Sequence, residues 1–167
     1  MQTRPAFTST KGFTSIEFLI VMAALVITTA MVMPLADSTL QSDDLEVAAV
    51  SAVDALRSAQ SSAMTGRNNK QWGVHFEASS FTVFEGGTYS AGAAQNEVHD
   101  LGGRVAVTDV TLSPGGSCDV DAGTGNCEVH FADAGGQPTE SGTVVLTNDA
   151  NETRTVSINV EGMIEQN

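Results

Sequence analysis

Positive charge is what this sequence most lacks. Seven Lys and Arg stand against twenty Asp and Glu in 167 residues, a formal net charge of −13. A surface this acidic repels nucleic-acid phosphate and anionic lipid unless its few cations cluster, which disfavours nucleic acid as a partner. Cysteine is nearly absent. Cys118 and Cys127, with His99 and His130 to complete a set, do not match a zinc spacing. There is no nucleophile elbow, no phosphate-binding glycine loop and no paired metal-ligand motif. The three histidines, His75, His99 and His130, fall in predicted strands, where alternating positions make them sheet residues rather than bases or ligands. The chain therefore reads as no enzyme, with no cofactor and no resident metal.

One long apolar run is present. Residues 13–33 carry a single formal charge, Glu17, and otherwise only apolar residues with Thr and Ser. As a helix this run is about 31 Å long, enough for one bilayer crossing. A carboxylate inside such a run costs about 2.5 to 3.5 kcal/mol on insertion scales. Either Glu17 lies near a wet interface or it has a cationic partner, and a cut between Gly12 and Phe13 would create an amine four residues away. Arg4 and Lys11 precede the run, while Asp37, Asp43, Asp44 and Glu46 follow it. By the positive-inside rule the first residues are then cytoplasmic and the bulk of the chain is outside.

The hexad Gly12-Phe13-Thr14-Ser15-Ile16-Glu17 resembles the class III signal of type IV pilins and type II secretion pseudopilins. In that family a short basic leader ends in Gly and is followed by Phe and, five residues into the mature chain, Glu. Leu is usual where Ser15 stands. The resemblance implies cleavage after Gly12 by a prepilin peptidase, N-methylation of Phe13 and a role for Glu17 in filament assembly. Pro34 directly follows the apolar run and predicts a kink or an unwound stretch. It matches the position of a proline that is associated, in pilin-like proteins, with melting of the helix inside filaments.

From Leu45 the apolar residues recur as Leu45, Ala49, Ala52, Val53, Leu56, Ala59, Ala63 and Met64, one alanine-rich helical stripe that covers the core of the following domain. Gly66 is the expected cap, with Arg57 and Arg67 near the negative end of the helix. Beyond Asn69 the period shortens. Strands are expected at 71–76, 81–84, 97–101, 104–112, 128–131, 142–147 and 153–160, separated by turns rich in Gly, Asn and Asp. Trp72 and Phe76 share the core face of the first strand. The last third, with Phe131, Gly135-Gly136, Gly142-Thr143-Val144-Val145-Leu146 and residues 154–164, resembles the C-terminal strand pattern of the GspH/FimT family of minor pseudopilins and minor pilins. DNA-binding members of that family carry a basic Gly-Arg-x-Arg-type motif, where this chain has Gly162-Met163-Ile164-Glu165.

In an oxidising compartment Cys118 and Cys127 form a disulfide, with a metal site as the alternative. Asp119, Asp121, Asn126 and Glu128 bracket that loop and are candidate oxygen ligands for Ca²⁺. They lack EF-hand spacing, and acids in a Gly-rich turn are ordinarily just solvated.

Together these readings give an α+β, pilin-like fold: a long N-terminal helix, transmembrane in its first half, packed on a C-terminal antiparallel β-sheet or small β-sandwich. Residues 1–12 form a cleaved leader, 13–33 a transmembrane helix, 34–66 its amphipathic continuation and 67–167 a β-rich periplasmic or extracellular head. The expected function is that of a minor structural subunit of a type IV pilus-like filament or a type II secretion pseudopilus. The alternative is a FimT-like module at a pilus tip, for DNA uptake or adhesion. Expected partners are a prepilin peptidase, other pilins or pseudopilins, and the bacterial inner membrane, crossed once.

Overall fold

A computed structural model describes Gly12 and residues 14–132 and 135–167, apart from the side chains of 31–39. The chain divides into two compact units, Met1–Asp37 and Ser38–Asn167. Helix α1 is assigned over Ser15–Met64, with side chains described over 15–30 and 40–64. In the first unit the amides of Glu17 and Phe18 donate to the Thr14 carbonyl, opening the helix. Residues 15–30 are exposed throughout. Thr28 and Thr29 turn their hydroxyls back to carbonyls of the preceding turn, which satisfies them in an apolar segment.

Two expectations are corrected here. Among the described residues no helix is long and apolar enough to cross a membrane. The transmembrane helix at 13–33 and the single-pass inner-membrane location fall with it. Nor does one long helix pack on a sheet. Among the described residues of α1 the buried ones begin at Leu45, and the chain divides into its two units at Asp37/Ser38.

In the second unit Leu45, Ala49, Ala52, Leu56, Ala59 and Ala63 are at most 1% exposed. Their steps of three and four make one face, and the alanines let strands approach the helix backbone closely. Met64, expected on the same stripe, is exposed instead. The helix stops where Gly66 takes a left-handed φ of 62° and donates to the Ala63 carbonyl, as a C-terminal glycine should.

Among the described residues nine strands follow, in two antiparallel sheets. The first has the order β3-β2-β1-β6, from β1 (Trp72–Glu77), β2 (Ser80–Glu85), β3 (Glu97–Asp100) and β6 (Glu128–Phe131). The second has the order β5-β4-β7-β8-β9, from β4 (Val105–Ser113), β5 (Gly116–Cys118), β7 (Ser141–Asn148), β8 (Thr153–Ile158) and β9 (Ile164–Gln166). Trp72, Val74 and Phe76 of β1 enter one hydrophobic cluster with the helix and with Val144, Leu146 and Val156 of the second sheet. In β4 the buried residues run Val105, Val107, then Val110 and Leu112. A bulge between Val107 and Asp109 absorbs the extra residue and keeps both pairs facing inward. Gly73 has no substitute, since a Cβ there would lie 2.7 Å from the Phe84 ring and 2.8 Å from the Val129 carbonyl oxygen.

Polar clamps hold α1 to the strands. Glu46 accepts from Arg154 Nε at 3.1 Å and from Gln166 Nε2 at 2.9 Å. Glu152 accepts from Ser42 at 2.7 Å and from Asn148 at 2.9 Å. Gln60 Nε2 donates to the carbonyls of Gly136 and Gly162, each at 2.9 Å.

Candidate functional site

The residues singled out at the N-terminus are only partly in view. Gly12 is exposed, Glu17 lies in the first turn of α1, and Ile16, Phe18, Leu19, Ile20 and Val26 around it are each more than 60% exposed. Phe13 lies outside the described residues, as does the side chain of Pro34. At the other end of the chain Cys118 and Cys127 form the expected disulfide, with Cα atoms 5.1 Å apart.

The four calcium candidates do not converge. Asp119 Oδ1 accepts from the amides of Asp121 and Ala122, closing its own turn. Asn126 donates to the Pro114 carbonyl and accepts from the Glu128 amide. Glu128 turns instead toward two histidines. Among the described residues no group of three or more His, Cys, Asp or Glu could hold a metal ion.

A constellation that was not expected lies on the face of the first sheet turned away from α1. Val74, Phe76, Val129 and Phe131 point to the core, so His75, Glu77, Glu128 and His130 point the other way. The register sets His75 opposite Glu128 and His130 opposite Gly73, which leaves room for both rings. The groups form a row. Glu77 lies 3.7 Å from His75 Nε2, and Glu128 lies 3.5 Å from His75 Nδ1 and 3.1 Å from His130 Nε2. Glu140 closes the row at 3.3 Å from His130 Nδ1 and accepts from the His130 amide at 2.8 Å.

No known family model, curated protein or solved structure matches this chain. The row must be read from its own chemistry. Tyr89 lies flat on His75 at 4.0 Å between ring centroids, and Phe84 meets Tyr89 and His130 in T-shaped contacts. The loop after β2 thus roofs the row. His75 Nδ1 and His130 Nε2 are buried without a hydrogen bond, close enough to Glu128 for ion pairing but not aligned for donation. With both imidazoles protonated the row alternates in sign along its length; with both neutral it holds three carboxylates together.

The signal for this row was available in the alternation of each strand. His75 and Glu77, and again Glu128 and His130, are polar residues two apart flanked by apolar ones, the pattern of one polar face. Which histidine meets which acid depends on pairing between residues 53 positions apart, and no local pattern carries that.

Elsewhere, three carboxyls are held below their usual range by partners. Hydrogen bonds from Arg154 lower Glu46, those from Lys70 lower Glu85, and those from Ser42 lower Glu152.

Proposed function

We propose that this chain is a minor structural subunit of a type IV pilus-like filament or a type II secretion pseudopilus, cut after Gly12 by a prepilin peptidase and assembled through its N-terminal helix. The observation that supports this reading is the exposure of residues 16–27, a helix apolar on every side with Glu17 as its one charge. A helix apolar all round needs apolar surroundings, and helices of neighbouring subunits supply them. Glu17 then sits among apolar side chains. A buried carboxylate is tolerated when paired with a cation, and cleavage would create an amine at Phe13, four residues away, for pairing with Glu17 of a neighbour. The resemblance of residues 12–17 to the prepilin signal agrees with this arrangement. The role is one of assembly, not catalysis.

The test is intact mass and N-terminal sequencing of the full-length chain coexpressed with the prepilin peptidase of its own host. A mature start at Phe13, with or without a methyl group, is the expected result. A start at Met1 in the presence of active peptidase overturns the proposal. Glu17→Ala, followed in the native host, is expected to leave the cut intact and to deplete the subunit from sheared filaments; incorporation equal to wild type removes the pairing argument.

A further inference from the structure

We propose that the free edge of β3, with the groove between it and α1, is a docking site for an extended, basic segment of another protein, added as a fifth strand to the four-stranded sheet. β3 lies at the end of that sheet and pairs only with β2. In an antiparallel ladder alternate residues turn their N–H and C=O groups to one neighbour. The Leu101 amide donates to the Ser79 carbonyl at 3.0 Å, which sets the phase. Glu97 and His99 face β2, so the backbone groups of Val98 and Asp100 point outward. Among the described residues no hydrogen bond reaches those outward groups.

Natural edges are ordinarily blunted by proline, lysine, a bulge or a covering loop. β3 carries no proline or lysine and no bulge interrupts its pairing with β2; Glu97 and Asp100 are its charged residues, and Val98 is 63% exposed on it. Beside the edge runs a cavity of about 470 Å³, walled by Asp44, Val47 and Ser51 of α1 and by His99 and Asp100. It shares Ser51 and His99 with a second hollow of about 300 Å³ that reaches Asp54 and Glu97. Val47, 65% exposed on the helix wall, offers apolar surface to a side chain entering from a neighbouring strand.

Charge decides the occupant. Asp44, Asp54, Glu97 and Asp100 border the groove, against Arg104, which pairs with Asp44 at 3.8 Å, and His99, 3.6 Å from Glu97. A second copy of the same edge would bring these acids against one another, and like charges across strands are unfavourable. A segment with lysine or arginine between apolar residues satisfies the backbone and, with its cations turned to the helix side, the acids Asp44, Asp54 and Glu97, while its apolar residues lie beside Val98 on the other face. This inference does not rest on filament assembly, and its test does not involve filaments.

The probe is a synthetic peptide of alternating Lys and Val, titrated in about 150 mM salt into the isotope-labelled full-length chain, with non-ionic detergent covering the apolar residues of α1. Saturable binding is expected, with the amides of residues 97–100 shifting most. The same peptide with alternate amides N-methylated keeps its charge and side chains but cannot form a ladder; it is expected to bind about tenfold more weakly or worse. Val98→Pro removes an outward donor and no bond to β2, a placement tolerated on edge strands, and is expected to weaken binding by a similar factor. If that variant fails to fold, Glu97→Lys with Asp54→Lys changes only exposed side chains and serves in its place. Equal affinity for the methylated peptide, shifts that avoid 97–100, or no binding at all would each overturn the proposal.

Discussion

The Gln60 side chain gives the sharpest test of how the second unit is held together. Its amide donates at 2.9 Å to two carbonyls from distant turns, those of Gly136 and Gly162. Gln60→Met keeps the length and most of the volume but removes both donors. The Gly136 carbonyl is on a buried residue, and Gly162 is half-buried. An acceptor left unsatisfied costs about 1 to 3 kcal/mol when buried and less where water can reach it, so the sum expected is about 2 kcal/mol. Trp72 is the one tryptophan and is 4% exposed in the core, so its fluorescence during urea unfolding reports this unit alone. The midpoint should fall with the slope unchanged. A cycle sharpens the result. Gly162 has φ +86°, and a Cβ there would lie 2.6 Å from Gln60 Nε2. Gly162→Ala should therefore cost more in wild type than in Gln60→Ala, where the clash is gone and backbone strain remains, by about 1 kcal/mol. Additive costs, or a loss under about 0.5 kcal/mol for Gln60→Met, would show that the amide does not tie the turns to the helix.

Two further predictions concern the same unit. Replacing both Cys118 and Cys127 by Ala should destabilise it by about 2.5 to 3 kcal/mol, the loop-closure value for a separation of nine residues; an unchanged urea midpoint would mean that the loop is already ordered in the unfolded chain. Glu46, Glu85 and Glu152 are each lowered from an ordinary value of 4.5. A depressed carboxyl contributes stability that is complete above the unfolded value and is lost as pH falls through the folded one. The urea midpoint should thus be insensitive to these groups above about pH 5 and drop below it, with Glu152→Gln showing a shallower drop than wild type. Parallel curves for variant and wild type would remove Glu152 from the clamp.

Much of the strand pattern was legible. Residues 128–131 were expected as a strand and are β6, and the hairpin expected from 71–76 and 81–84 is β1, shifted by one residue, and β2, longer by two. Both rest on local alternation against one core. β5 and β9 were not legible, because Gly116-Ser117-Cys118 and Ile164-Glu165-Gln166 show no alternation long enough to detect. Their strand character comes from β4 and β8, which offer them an edge. The helical stripe from Leu45 was legible through its period, yet Met64 left it because the helix ends there. The apolar run misled in the other direction. Hydropathy and length suggested a crossing, whereas among the described residues no helix is long and apolar enough for one. The row of histidines and acids was half visible, as polar positions on two strands, and its contacts waited on the pairing of β1 with β6.

The clamps also bear on the order in which the second unit is made. Gln166 reaches back 120 residues to Glu46, the Ile164 carbonyl reaches 107 to Arg57, and Gly162 reaches 102 to Gln60. During synthesis the helix precedes these partners by more than 100 residues. Throughout that interval its alanine face and the early strands have no finished core to bury them, the condition in which nascent chains aggregate. Residues 162–166, made more than 100 residues after the helix they hold, thus act as the latch that closes over it.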